Sequence, residues 1–215
     1  MHIKIIIFDL DGTLIDAYGA IASSLKYVLK KFNLDIPSEI KIKRAVGWGD
    51  RELLKQFVPA DCLNKALKIY RNDHRAALLE KSRLMPYAGG LLPALKRRHI
   101  KLAVASNRPT EFSLSVLKHL RIKDYFDYVL CADKLKFKKP HPLILNKIMN
   151  RFKFKKENAL YVGDMSIDAR AANSAGIKAA IVLGGSSTKK EIEKERPFMI
   201  LKDLRSLVKL IDANI

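Results

Sequence analysis

Two aspartates one residue apart, Asp9 and Asp11, follow the apolar run Ile3-Lys4-Ile5-Ile6-Ile7-Phe8 and precede Gly12-Thr13-Leu14-Ile15-Asp16. Side chains alternate along an extended segment, so both carboxylates project the same way where the chain turns at Gly12. Held that close, they repel unless one takes a proton or a cation lies between them, and oxygen ligands of this kind favour Mg2+. The plain structural alternative is an Asp-Gly turn closing a strand, with Asp11 bonded to its own backbone.

Three later stretches share that setting. Ser106-Asn107-Arg108-Pro109-Thr110 follows the run Lys101 to Ala105 and offers a hydroxyl and an amide to a phosphate oxygen. Ser-Asn is also ordinary loop chemistry, and Thr110 can cap the next helix. The segment Lys134-Leu135-Lys136-Phe137-Lys138-Lys139-Pro140-His141-Pro142 packs lysines ahead of a helix whose first turn accepts Pro142. A solvated basic loop would also explain that run. Asp164 leaves a strand after Gly163, and Asp168 falls in the first turn of a small-residue helix ending at Gly176. The helix dipole accounts for Asp168 by itself, but not for Asp164.

The elements that must position these residues alternate. Ile5 to Phe8 is an unbroken β-branched run too short for a lone helix, as in a strand buried on both faces. From about Leu91 onward, helices and strands take turns: helix to Arg98, strand Lys101 to Ala105, helix Glu111 to Leu120, strand Asp127 to Cys131, helix Pro142 to Phe152. Then come strand Ala159 to Val162, helix Ile167 to Ala175, strand Lys178 to Leu183, helix Lys189 to Glu195, strand Phe198 to Leu201 and helix Leu204 to Ile211. This pattern predicts an α/β fold, a Rossmann-like doubly wound parallel sheet with ligands at the carboxyl ends of its strands. Between Asp16 and Leu84 no strand is evident. Helices are expected at Tyr18 to Phe32, from Ser38 through Val46, after a capping Asp50, and from about Ala60 to Lys81, forming an all-helical insertion.

Asp-Leu-Asp-Gly-Thr-Leu after an apolar strand, Ser106 after the next, Lys-Pro-His-Pro at 139–142, and Gly-Asp-x-x-x-Asp with its Ala-rich helix resemble four motifs of the haloacid dehalogenase superfamily of aspartate-nucleophile phosphohydrolases. They occur in the family's order and cover the chain except the insertion. The resemblance implies that Asp9 attacks a phosphate monoester and that Asp11 serves as general acid, then general base. It assigns Ser106 and Asn107 to the transferring phosphoryl group and Lys139 to its charge. One Mg2+ would be held by the carboxylates of Asp9 and Asp164 and the backbone carbonyl of Asp11; Asp168 would ligate it directly, hold a metal water, or orient Lys139. Leu143 stands where an acidic residue often follows and Lys138 where glycine is frequent, which leaves Lys138 open as the functional lysine. An aspartate at position 11 sets the chain apart from the dehalogenases of the superfamily.

The insertion resembles the helical cap of the phosphoglycolate phosphatase-like branch. It implies a cap at residues 17–83 and an α/β catalytic core made of 1–16 with 84–215. Trp48 and Arg51 fall where that branch often carries a substrate-specificity loop, and they are candidates for contacting the leaving alcohol. Packing between cap helices and exposure to water are their respective structural alternatives. His74, His99 and His119 receive no role, and His141 reads as a loop residue.

The expected function is a Mg2+-dependent phosphatase acting on a small phosphorylated metabolite through an aspartyl-phosphate. A β-phosphoglucomutase-type phosphoryl transfer shares the motifs, and a non-catalytic nucleic-acid-binding scaffold is the reading from another class. The formal charge of +19 invites the latter, but the excess is spread over insertion and core with no array of interleaved aromatics, which argues against nucleic acid. Cys62 and Cys131 lack metal-like spacing. No apolar run is long enough to span a membrane and no signal-peptide pattern precedes the first strand, so the expected location is cytoplasmic. A monomer and a homodimer are both compatible with this composition.

Overall fold

The computed structural model describes residues 2–213. Its elements in chain order are β1 (Ile5–Phe8), β2 (Ile15–Asp16), α1 (Tyr18–Lys31), α2 (Glu39–Ala45), α3 (Asp50–Lys55), α4 (Leu63–Lys81), β3 (Arg83–Leu84), α5 (Ala88–Arg97), β4 (Lys101–Ser106) and α6 (Thr110–His119). There follow β5 (Tyr128–Cys131), α7 (Leu143–Phe152), β6 (Ala159–Gly163), α8 (Ser166–Ala175), β7 (Lys178–Val182), α9 (Lys189–Lys194), β8 (Met199–Leu201) and α10 (Leu204–Ala213).

Six strands form one parallel sheet in the order β5-β4-β1-β6-β7-β8. The apolar run of β1 is fully buried because it lies between β4 and β6 with helices on both faces. Its side chains alternate accordingly: Ile6 and Phe8 join the core that continues into α1, α4 and α5, while Ile5 and Ile7 face the core built on α7 and α8. The chain runs outward from β1 to β5 and then returns past β1 to start β6. That reversal sets β1 and β6 side by side at the point where open parallel sheets bind ligands.

Helices α1 to α4 lie between β2 and β3, two-residue strands that pair antiparallel, Ile15 with Leu84 and Asp16 with Arg83. This clasp was not expected, since each partner is too short to show a period. It joins the two chain connections at the base of the helical insertion. The apolar core runs without a break from the sheet into these helices, through Leu25, Val28, Leu29, Tyr70 and Leu78.

Several ends shift for identifiable reasons. Ser38 caps α2 by accepting from the Lys41 N–H, and Thr188 and Glu191 form a capping box at α9. Asp50 is the first helical residue of α3 rather than its cap, and its carboxylate pairs with Arg71 of α4 at 2.6 Å. The fifth helix begins at Ala88, three residues before Leu91, which leaves Pro93 inside it. Among the described residues no helix is long and apolar enough to cross a membrane.

Candidate active site

The loops leaving β1, β4 and β6 meet above the centre of the sheet because those strands are neighbours. They bring together Asp9, Ser106, Asp164 and Asp168, and the loop between β5 and α7 reaches in from the sheet edge with Lys139; all five are buried. Lys139 is the hub. Its Nζ lies 2.8 Å from Asp9 Oδ1 and 2.8 Å from Asp168 Oδ1, and donates to the Tyr161 hydroxyl at 2.8 Å. Lys138 instead turns toward the helical insertion, donating to the Trp48 carbonyl at 2.9 Å and lying 3.4 Å from Glu52. The geometry therefore separates the two lysines that the sequence left open.

Asp168 is bonded through both oxygens. Oδ1 takes Lys139 and the Tyr161 hydroxyl, and Oδ2 accepts from the N–H groups of Asp164 and Met165 at 3.2 and 3.0 Å. Asp164 accepts from Thr13 Oγ1 at 3.1 Å and from the Tyr18 hydroxyl at 3.2 Å. Gly185 of the β7–α9 loop presses on the same carboxylate; a Cβ there would meet Asp164 Oδ2 at 1.8 Å, so only glycine permits this approach.

Three buried carboxylates share one lysine, and the electrostatics reflect it. Burial raises the Asp9 carboxyl to about 7, with Lys139 pulling down and Asp168 pushing up. Burial, then Asp168 and Asp9, lift Asp164 well above the usual carboxylate range. The Lys139 ammonium resists the opposite pull of burial because Asp168 and Asp9 hold it above the ordinary lysine value. Ligand oxygens of Asp9, Asp164 and Asp168 lie within 4.8 Å of one another. An all-oxygen, net-negative pocket of this kind suits a hard divalent cation.

Of the phosphate-binding candidates, Ser106 is buried and lines the cavity described below. The side chain of Asn107 is a brace. Its Oδ1 accepts from Lys139 N at 2.9 Å, while Nδ2 donates to the carbonyls of Lys139 and Gly47 at 3.2 and 3.0 Å. Its amide is thereby committed to joining the lysine loop to the helical insertion rather than to a phosphate.

Asp11 departs from the sequence expectation in its partner. Arg108, itself buried, grips it through Nε at 3.0 Å from Oδ2 and through Nη2 to Oδ1. Arg108 carries no role from sequence; the signal for it is an arginine two residues beyond Ser106, at a strand end beside two acids.

A cavity of about 50 Å3 lies between these loops and the helical insertion, lined on one side by Asp9, Asp11 and Arg108 and on the other by Gly49, Tyr70 and His74. Trp48 and Arg51 are not among its lining residues. The Arg51 guanidinium bonds Asn64 at 2.9 Å in an exposed position, and Trp48 reaches the core loops through its backbone carbonyl. The loop's glycines, rather than its large side chains, come nearest the chemistry.

His74, given no role from sequence, is buried in the insertion. It bonds Ser24 Oγ at 3.2 Å, stacks on Tyr70 and meets Phe112 edge-on. Burial, and secondarily Arg108, lower its pKa from 6.5 to about 3. Between those values the unfolded chain binds a proton that the folded chain does not, so stability present above pH 6.5 drains away as pH falls. The slope is at most ~1.4 kcal/mol per pH unit. Urea midpoints followed from neutral pH down to about pH 5 should fall more steeply in the native protein than in His74→Gln; parallel profiles would remove His74 as the cause.

Comparison with known proteins agrees with this geometry. A family model described as haloacid dehalogenase-like hydrolase matches residues 6–182. Phosphoglycolate phosphatase of Aquifex aeolicus is 32% identical over 99% of this chain and 98% of its own length. The enzyme of the same name from Nitrosospira multiformis is 30% identical over 100% and 98% respectively. A crystal structure of a predicted phosphoglycolate phosphatase from Haemophilus somnus superimposes with a TM-score of 0.91 at 29% identity, covering 98% of this chain and 99% of that one. The chain belongs to the haloacid dehalogenase-like hydrolases. Within that family it is a phosphoric monoester hydrolase of the phosphoglycolate phosphatase-like branch.

Proposed function

We propose that the protein hydrolyses a small phosphorylated metabolite in the cytoplasm, with Mg2+ and through an aspartyl-phosphate, and that phosphoglycolate, the substrate in its relatives' name, is its substrate too. The observation that carries this reading is Lys139, bonded at once to Asp9 and Asp168 beneath a cavity lined by Asp9, Asp11 and Ser106. Residues 17–83 act as the cap and 1–16 with 84–215 as the catalytic core.

Asp9 is the nucleophile. Its carboxylate attacks phosphorus while Asp11 gives a proton to the departing alcohol oxygen; Asp11 then takes a proton from the water that cleaves the acyl-phosphate. Lys139 and Ser106 offset the charge on the phosphoryl oxygens. The carboxylates of Asp9 and Asp164 with the Asp11 carbonyl would hold Mg2+, whose chemistry here is to neutralise phosphoryl charge and align the group for attack. Of the roles open to Asp168, orienting Lys139 is the one its bonds favour, since neither oxygen is left without a donor. The cap keeps water from the site, helped by the contacts of Gly47 with Asn107, Trp48 with Lys138 and Arg44 with Glu191.

A panel of phosphate monoesters assayed for released phosphate, with Mg2+ and after chelation, tests the reading. Phosphoglycolate should be among the best substrates and chelation should remove at least ~99% of turnover, restored by Mg2+. Equal rates with and without the ion would sink it.

A further inference from the structure

Arg108 has more to donate than Asp11 takes. The carboxylate of Asp11 occupies the guanidinium edge formed by Nε and Nη2. Nη1 is buried and has no hydrogen-bond partner among the described residues. An arginine fork left half engaged in a buried place is costly unless something completes it. The side chain is 5% exposed and lines the cavity, where among the described residues it is the one cationic side chain. His74 across the cavity stays neutral at physiological pH, and Asp50 is neutralised by Arg71.

We propose that Arg108 is the specificity-determining residue for the leaving group, its free guanidinium edge receiving a carboxylate carried by the departing alcohol. This deepens the phosphatase reading and rests on it. Guanidinium and carboxylate match as a two-bond fork, and the open edge, Nη1 with the second N–H of Nη2, offers that match without displacing Asp11. One residue thus holds the proton donor on one edge and the leaving group on the other, which sets the ester oxygen beside Asp11. The cavity's 50 Å3 holds about four waters, the scale of a two-carbon acid rather than a sugar or nucleoside.

The test compares phosphoglycolate with carbamoylmethyl phosphate, its counterpart of equal shape in which a neutral amide replaces the carboxylate, in native protein, Arg108→Gln and Arg108→Lys. Native protein should favour phosphoglycolate by at least ~30-fold in kcat/KM, because a site built to bond a charged group rejects the analogue lacking it. In Arg108→Gln the preference should fall below ~3-fold, and Arg108→Lys should recover part of it, since lysine restores charge without the fork. Any harm to the setting of Asp11 slows both esters alike and cancels in the ratio. An unchanged ratio in Arg108→Gln, or native protein indifferent to the carboxylate, overturns the proposal. So does a stronger, Arg108-dependent preference for pyrophosphate, which would make the second anion a phosphate. The native comparison stands even should the variants not fold. Absence of Mg2+-dependent turnover of every ester is a different result, the failure of the phosphatase reading itself.

Discussion

Asp9→Asn should lower turnover by at least ~10^4-fold while leaving the fold intact, the scale seen when a covalent nucleophile is removed. Asparagine keeps the volume and one oxygen for Lys139, and Lys139 retains Asp168 and Tyr161 as partners. A single-turnover assay with acid quench should then find no phosphoryl group on the protein. Stability moves the other way. Because burial raises the Asp9 carboxyl from 3.8 to about 7, the folded chain binds a proton more tightly than the unfolded one between those values. The metal-free native protein therefore loses stability as pH rises through that interval. The variant escapes this loss, so its metal-free melting temperature at about pH 8 should equal or exceed that of the native protein. Added Mg2+ should raise the native melting temperature and affect the variant less. Retained activity in Asp9→Asn would remove the proposed nucleophile.

Lys139→Met should be the most destabilising change in the site. The lysine is 1% exposed and touches two carboxylates that also repel each other. Removing one member of such a buried cluster typically costs ~3–5 kcal/mol, since the remaining charges lose their counterion without regaining water. Activity should fall by at least ~10^3-fold, because the phosphoryl charge loses a preorganised donor. The loss should also depend on pH. At low pH a proton on Asp9, whose carboxyl burial already raises, can offset the missing ammonium, whereas at high pH Asp9 must ionise without its counterion. Denaturant midpoints at about pH 5 and about pH 8 should show the larger gap from native protein at the higher value. Lys138→Met provides the contrast: its amine is partly exposed and, among the described residues, reaches only the helical insertion, so stability should change by less than ~1 kcal/mol.

Much of the site was legible because its residues sit at strand ends, and strand ends can be read from local pattern. The apolar run at Ile5–Phe8 could only be a buried strand, and the two acids after it had to be near each other. Asp164 stood out for lacking a local reason to be there. The lysine run was less legible: both Lys138 and Lys139 follow the same loop, and nothing local says which one turns inward. Asn107 reads from sequence as an amide facing phosphate, yet it bonds Gly47 and Lys139, residues 60 and 32 positions away. Trp48 and Arg51 drew attention as the large side chains of a Gly-rich loop. Glycines lie nearest the cavity there instead, since a backbone without side chains can approach more closely.

Sequence alone determined the alternation of strands and helices, the helical insertion after Asp16, and the two acids of the first turn, because each depends on spacing within a few residues. It carried the family through four motifs in order. Only the tertiary structure decided what each charged group touches. The pairing of Arg108 with Asp11 spans 97 positions, and exists because β1 and β4 are neighbours in the sheet. The clasp of β2 on β3, the burial of His74 against Phe112, and the choice of Lys139 over Lys138 likewise depend on which elements lie side by side. Local spacing sets where a side chain can point; the order of strands sets what it meets.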